Sequence, residues 1–282
     1  MARQPDGPPP PPVVQRLRIR YAKRGRLRFT SHRDFARAFE RALRRAAVPM
    51  AYSAGFSPHP KISYVGAAPT GVASEAEYLE VGLAQRRDPA ELRRQLDGAL
   101  PPGLDVLDVV EADGASLAER IEASLWRAEL LGVSAGAAAA AAERFLALAE
   151  APVERVTKDG KRVVDARAAV VALAAAPAAD PHRWPGVGDG APASGTPAAS
   201  SDCAILDLVV RHTTPAVRPD DVLTALRQAA ALSTPVAPRV TRLAQGRLDE
   251  TPSVTAAPTG PPGLHVRLTD PLVTDTVAAA PL

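Results

Sequence analysis

The stretch QRLRIRYAKRGRLRFTSHRDFARAFERALRRAAVP, residues 15–49, contains the clearest secondary-structure signals in the first part of the chain. Its first half alternates apolar and basic side chains, which predicts a strand, a turn at Gly25 and a continuation of the strand. Ser31 then caps a helix that we predict over residues 32–47, and Pro49 ends it. The helix carries one apolar stripe and one basic stripe, so one side of it is expected to face a core.

The segments that follow complete a β-α-β-β-α-β order over residues 14–115. Each predicted element has the periodicity or the flanking proline and glycine residues typical of its type. The further strands are predicted at 50–54 with 61–67, at 76–83 and at 104–111, and the second helix at 89–99. This order is the ferredoxin-like plan.

The same order of elements recurs over residues 116–249. Strands are predicted at 121–133, 153–156 with 162–174, 203–212 and 236–244, and helices at 134–150 and 219–231. The expected fold class is therefore α+β, with tandem ferredoxin-like units. Proline-rich and alanine-rich composition predicts disorder at both termini, 1–13 and 250–282, and in an insertion at 176–201.

Composition limits the kinds of site and the compartment. The 282-residue chain has one cysteine, Cys203, which rules out an internal disulfide and a cysteine-ligated zinc or iron–sulfur site within this chain. We therefore expect no metal and no cofactor in it. No apolar run reaches the roughly 18 residues of a membrane span, and residues 1–12 do not resemble a signal peptide. These features predict a cytoplasmic protein without a membrane partner.

Charge is concentrated in residues 15–64. This region has eleven Arg and two Lys against two acids, a net charge of +11, whereas the whole chain has only +3. Such an imbalance predicts a face that binds an anion, and the alternative is a solvated, arginine-rich surface. The residues that could contact phosphate are Arg16, Arg18, Arg20, Lys23, Arg24, Arg26, Arg28, Arg33, Arg37, Arg41 and Arg44. The last four lie on the basic stripe of the predicted helix.

The loop within residues 52–64 brings together several functional groups. Its sequence YSAGFSPHPKISY includes a glycine that permits unusual backbone angles and two prolines that stiffen the histidine between them. A rigid loop can hold an imidazole for hydrogen bonding or proton transfer, although an exposed connection is the plainer interpretation. The ligand-binding candidates in it are Phe56, Ser57, His59 and Lys61.

Three further candidates lie outside this loop. His32, at the start of the predicted helix, could bind an anion beside free amide groups. Glu75 and Glu77 could act as acid or base, but pairing with the arginines is the better interpretation of an acid among cations. Two other residues are not binding candidates. Cys203 begins an apolar predicted strand, which favours a position in the core. His212 ends that strand and has no partner visible in the sequence.

Three motifs carry a resemblance to a known family. The runs Arg28–Asp34 (RFTSHRD), Gly55–Lys61 (GFSPHPK) and Gly71–Glu80, which contains EAEYL, resemble the uncharacterised bacterial radical-SAM-linked proteins. The likeness covers residues 14–245. It implies a cytoplasmic accessory role beside a radical SAM enzyme and brings no established catalytic residues. Since this chain has one cysteine, the iron–sulfur cluster of such an enzyme would lie in a separate partner.

Three functions remain open on the sequence. The first is an accessory or substrate-recognition protein for a radical SAM protein, with RNA as a further partner of its basic face. The second is a metal-free RNA-processing enzyme that uses His32, His59 and Lys61, since such cleavage needs a general base and a cation near the scissile phosphate. The third is an interaction protein that docks an acidic protein. The enzyme requires these three side chains to converge on one pocket beside the arginines.

Overall fold

The computed structural model contains two compact units. Unit 1 is Met1–Arg120 with Pro271–Leu282, and unit 2 is Ile121–Asp270. The residues that the structure describes are 10–157, 160–178, 202–249 and 266–273. Both units combine helices with an antiparallel sheet, so the predicted α+β class is confirmed.

Most of the predicted disorder falls where the structure describes nothing. Of the two predicted tails and the insertion, residues 1–9, 179–201, 250–265 and 274–282 lie outside the described residues. Strand residues occupy 176–177 at the start of the predicted insertion, and 267–269 within the predicted C-terminal tail. None of the described helices is long and apolar enough to cross a membrane.

Unit 1 has its elements in the order β-α-β-β-α-β. They are β1 (Gln15–Lys23), α1 (His32–Arg45), β2 (Ile62–Val65), β3 (Ala73–Leu83), α2 (Pro89–Ala99) and β4 (Val106–Glu111). Within this unit the strands lie side by side in the order β4-β1-β3-β2, and each neighbouring pair is antiparallel.

Two local predictions for unit 1 are wrong. The expected continuation of the first strand is a 3-10 helix, Gly25–Phe29, because Gly25 adopts a φ of +53° and turns the chain. Residues 50–54 form no strand and pair only through isolated bridges, Met50 with Leu83 and Tyr52 with Pro60. Short-range alternation predicted the strand continuation, and the turn at Gly25 overrode it.

The core of unit 1 lies between the two helices and one face of the sheet. Leu17, Ile19 and Tyr21 of β1 are buried on this face, and α1 covers it with Phe35 and Phe39. The rings of Tyr21 and Phe35 stack with their centroids 4.2 Å apart. Burial of each large apolar side chain contributes about 1.5–3 kcal/mol. Since side chains alternate along a strand, the even-numbered arginines of β1 lie on the opposite face.

Unit 2 repeats the pattern with an extra hairpin. Its elements are β5 (Ala123–Leu131), α3 (Ala135–Leu146), β6 (Pro152–Thr157), β7 (Gly160–Asp165), α4 (Ala166–Ala169), β8 (Val170–Pro177), β9 (Cys203–Arg211), α5 (Pro219–Ala229), β10 (Arg239–Asp249) and β11 (Arg267–Thr269). The strands of its main sheet lie in the order β11-β10-β5-β9-β8. Strands β6 and β7 form a separate two-stranded sheet.

The single strand expected over residues 162–174 is divided into β7, α4 and β8. Asp165 is the cause, because its carboxylate accepts hydrogen bonds from the amides of Ala151 and Arg167, both at 2.9 Å, and starts a helical turn.

The strand order is the same in the two units. In unit 1 the order across the sheet is β4-β1-β3-β2, that is, the fourth, first, third and second strand along the chain. In unit 2 the strands β10, β5, β9 and β8 follow this same order, once the β6–β7 hairpin is set aside. The two units therefore share both the sequence of elements and the connections between strands.

Candidate functional site

Several basic residues of β1 are engaged by the protein itself. Arg18 is 2% exposed, and its guanidinium lies 3.4 Å from the carboxylate of Glu80 and 3.8 Å from that of Asp113. Arg20 donates a hydrogen bond of 2.9 Å to the carbonyl of Glu75. The predicted phosphate contact of Arg18 is therefore wrong, because the side chain is buried and paired.

Arg24 and Glu75 form a bidentate ion pair. The Nε of Arg24 donates to Glu75 at 2.7 Å, a second nitrogen also bonds this carboxylate, and a third contacts Asp105 at 2.8 Å. Hydrogen bonding to Glu75 raises the pKa of the Arg24 guanidinium further above its usual value. This is the pairing that the sequence favoured over an acid or base role for Glu75.

Glu77 and Lys23 act inside unit 1. Both are nearly inaccessible, at 2% and 4% exposure. The amide of Ala68 donates to the Glu77 carboxylate at 3.1 Å, and the Lys23 ammonium donates to the carbonyls of Ala68 and Pro69 at 3.3 and 3.4 Å. These contacts hold the segment before β3 in place, and the burial leaves neither side chain open to a ligand.

Helix α1 presents its arginines to solvent. Its buried residues Phe35, Phe39, Ala42 and Leu43 face the core and orient the opposite side outward. Exposed arginines occupy that side at positions 33, 37, 41 and 44. Residues four positions apart on a helix differ by only about 40° in direction, so these side chains form one stripe. At about 1.5 Å per residue, the stripe from position 33 to position 44 is about 16 Å long.

The charges of this stripe are largely unopposed. Arg44 lies 3.9 Å from Glu40, in an exposed pair one helical turn apart. Arg33, Arg37 and Arg41 make no ion pair or side-chain hydrogen bond with any described residue. This contrasts with β1, where the fold supplies acidic partners. The stripe on α1 is thus a row of exposed guanidinium groups, three of which have no acidic partner among the described residues.

The start of α1 is ordered by capping and by ring contacts. The Ser31 hydroxyl accepts from the amide of Asp34 at 3.2 Å, as the sequence predicted. The ring of His32 meets the ring of Tyr64 edge-on, with centroids 4.8 Å apart. Burial, and to a smaller extent the charge of Glu40, raises the pKa of Tyr64 to about 12. The Tyr64 hydroxyl is therefore neutral at physiological pH.

The aromatic ring of Phe29 lies just before this helix. Phe29 is 58% exposed, and the guanidinium carbon of Arg28 lies 4.7 Å from the ring centroid. The Arg28 carbonyl accepts a hydrogen bond of 2.8 Å from the amide of Gly71, which anchors the backbone beside the ring. The alternation of apolar residues gave no sign that Phe29 is exposed, because exposure cannot be inferred from alternation alone.

The loop before β2 is an exposed, closed turn. The amide of Ser53 donates to the carbonyl of His59 at 2.8 Å, and the amide of His59 donates to the Ser53 hydroxyl at 3.0 Å. Gly55 has a φ of +129°, a backbone angle that other residues rarely adopt. The four candidates on this loop, Phe56, Ser57, His59 and Lys61, are all exposed. Phe56 is 71% exposed.

His32 and Lys61 lie on different faces of the unit 1 sheet. His32 contacts Tyr64, which pairs with Leu79 of β3 and packs against the core beneath the helices. Lys61 lines a groove with Arg16 and Ser63, and Ser63 points to the opposite face because strand side chains alternate. The structure therefore does not bring these two candidates of the proposed catalytic trio together.

Unit 2 contains a polar pair that the sequence did not reveal. The Ser124 hydroxyl lies 2.8 Å from the Nε2 of His212, a residue 88 positions away. Desolvation and the nearby Arg242 lower the pKa of His212. Ser124 is fully buried, whereas His212 is exposed, so the imidazole satisfies the Ser124 hydroxyl and the pair leaves no accessible nucleophile. Burial likewise raises the pKa of the Cys203 thiol, which suits a core residue.

The comparisons place the chain among bacterial proteins. A family model described as "Uncharacterized protein conserved in bacteria (DUF2344)" matches residues 16–219, more than two thirds of the chain. No curated protein matches it. Within the described part of the chain, no group of three or more His, Cys, Asp or Glu side chains could hold a metal ion.

Proposed function

The chain belongs to this family of uncharacterized proteins conserved in bacteria, and we propose that it is an accessory or substrate-recognition protein that binds RNA through helix α1. It acts with a separate radical SAM enzyme, which carries the iron–sulfur cluster and the chemistry. Both units follow the ferredoxin-like plan, with the β6–β7 hairpin and α4 inserted in the second. The repeated strand order supports this assignment of the fold.

One observation carries the RNA proposal: three exposed arginines of α1 are not neutralised. Arg33, Arg37 and Arg41 have no acidic partner among the described residues, whereas Arg18 and Arg24 have theirs. Guanidinium groups form strong charge-assisted hydrogen bonds with phosphate. A row of them along one helix fits a ligand with regularly spaced negative charges, and the backbone of a nucleic acid is such a ligand.

The radical SAM part of the proposal rests on the three sequence motifs. Two of them are exposed in unit 1, at the start of α1 and in the loop before β2. Exposed and conformationally defined loops are frequent recognition elements. The separation of His32 from Lys61 supports recognition over metal-free RNA cleavage, which would need both side chains at one phosphate.

The RNA proposal is tested by removing the stripe. The variant Arg33→Gln/Arg37→Gln/Arg41→Gln loses three positive charges on α1 and keeps the buried face intact. We expect its affinity for RNA, measured by fluorescence anisotropy with the full chain, to fall at least about tenfold.

A matched control removes the same charge from unit 2. Arg162, Arg211 and Arg227 are exposed there, and their simultaneous replacement by Gln should change the affinity by less than about threefold. Equal losses in the two variants, or no RNA binding by the wild type, would refute the proposal.

The partner is tested by affinity purification of the tagged chain from native cells without oxygen. We expect a radical SAM protein among the bound proteins at a constant ratio to the bait. Recovery of the bait with other proteins only, such as an acidic protein, would refute this part and leave the RNA result unaffected.

A further inference from the structure

We propose that the RNA bound by unit 1 is single-stranded, and that the ring of Phe29 is the platform on which one of its bases stacks. This inference rests on the proposed function of helix α1. It adds the kind of RNA and a residue that reads a base rather than a phosphate.

The ring of Phe29 is both exposed and held in position. More than half of the residue is open to solvent, at 58% exposure. The guanidinium carbon of Arg28 lies 4.7 Å from the ring centroid, in the geometry of a cation–π contact. A methyl group placed on Gly71 would touch the ring at 3.8 Å, so Gly71 also borders it. An exposed ring fixed in this way loses little conformational entropy when a base stacks on it.

The backbone beneath the ring is fixed as well. Phe29 is the last residue of the 3-10 helix, and the amide of Thr30 donates to the carbonyl of Leu27 at 2.9 Å. The amide of Gly71 donates to the Arg28 carbonyl at 2.8 Å. The chain then enters α1 through the Ser31 cap. The ring is therefore oriented relative to the helix that carries the arginine stripe.

The ring lies close to the phosphate-binding stripe. Arg33 lies four positions after Phe29, so their Cα atoms are at most about 14 Å apart, even for a fully extended chain. One strand of RNA can therefore contact both, with its phosphates on the arginines and a base on Phe29. Aromatic platforms beside basic grooves are the general means by which proteins hold single strands.

Double-stranded RNA could not use this ring. Its bases are stacked on each other and paired, and its deep, narrow major groove excludes side chains. A duplex would still contact the arginines through its phosphates. The structure thus predicts a preference for single strands that depends on Phe29, beyond the affinity that depends on charge.

Phe56 provides a matched comparison within the same unit. It is the more exposed of the two phenylalanines, at 71%, but no described ring or cation contact fixes it. If loss of exposed apolar surface alone weakened binding, its replacement would have the larger effect. The proposal predicts the reverse.

The experiment measures the affinity of the full chain for a single-stranded RNA of about 12 nucleotides, within the usual site size, and for the duplex of the same sequence. Phe29→Leu removes the aromatic face and keeps an apolar side chain, and we expect it to weaken single-strand binding about tenfold, within the range for one stacked base. Phe29→Tyr keeps the ring and should retain the wild-type affinity. Phe56→Leu should cost less than about twofold, and duplex binding should be unchanged in all three variants.

The outcomes separate this inference from the proposed function. Equal affinity for the single strand and the duplex, with no effect of Phe29→Leu, would overturn the inference about Phe29. A loss of RNA affinity in the arginine variant would still support the proposed function in that case. An equal loss in Phe56→Leu would also overturn it. No RNA binding by the wild type would refute the proposed function and this inference together. Circular dichroism checks that each variant is folded.

Discussion

The salt dependence of RNA binding gives the sharpest test of the α1 stripe. The stripe carries four exposed arginines, and Arg44 is partly neutralised by Glu40 at 3.9 Å. Under the proposed function, the stripe would therefore neutralise three to four phosphates of the RNA. For a single strand the slope of log K against log salt is about −0.7 for each phosphate, which gives about −2 to −3 for the wild type.

Removing Arg33, Arg37 and Arg41 leaves one arginine on the stripe. The slope of the triple Gln variant should then be about −0.7. Between 50 and 200 mM salt, the wild type should lose about 20- to 50-fold in affinity and the variant only about threefold. Anisotropy titrations of a labelled single strand of about 12 nucleotides in a series of KCl concentrations measure both slopes.

The control variant of Arg162, Arg211 and Arg227 decides whether the effect is local. These residues are exposed in unit 2, and the proposal predicts that their loss leaves the slope at its wild-type value. A stripe variant with an unchanged slope would contradict binding through α1. A control variant whose slope falls by the same amount would contradict it as well.

The remaining predictions concern the internal ion pairs and one titrating group. Asp207 is 2% exposed and accepts two hydrogen bonds from Arg127, at 2.8 and 2.9 Å. Asp207→Asn should therefore lower the free energy of unfolding, measured by urea titration, by about 2–3 kcal/mol. This loss is smaller than for a fully buried pair because Arg127 is partly solvated. Desolvation lowers the pKa of His212 below its usual 6.5, so the unfolded chain binds more protons and stability should fall as the pH drops through about 6.5. His212→Gln should flatten this dependence in thermal melts, and an unchanged profile would contradict the assignment. Glu75→Gln should lower the free energy of unfolding by only about 0.5–1 kcal/mol, since Arg24 keeps Asp105 as a second acidic partner and the pair is partly exposed. A changed RNA affinity of this variant would show that Glu75 has a role in binding besides its ion pair with Arg24.

Sequence patterns were most informative where local signals agreed. Ser31 as a cap, a 3.6-residue apolar repeat and a proline beyond the end all favoured one helix, and α1 is found at His32–Arg45. They were least informative where a turn competed with alternation, as at Gly25–Phe29, and where Asp165 starts a helical turn inside an apolar run. In both places a single backbone requirement outweighed the average preference of the neighbours.

In the candidate site, too, local features could be predicted from the sequence and long-range contacts could not. The sequence predicted the stripe on α1, because helical spacing alone places arginines 33, 37, 41 and 44 on one side. It could not predict that Arg18 is buried against Glu80 and Asp113, because those acids lie 62 and 95 positions further along the chain. Nor could it show that Phe29 is an exposed ring fixed by Arg28.

Local spacing and composition were enough to establish the order of elements, the amphipathic character of α1 and the concentration of positive charge in residues 15–64. These properties need no contact between distant residues. Which of those charges remain available depends on such contacts. Strand pairing sets β1 beside β3 and β4 and gives its arginines acidic partners, whereas the core turns the arginines of α1 towards solvent, where no described acid except Glu40 meets them.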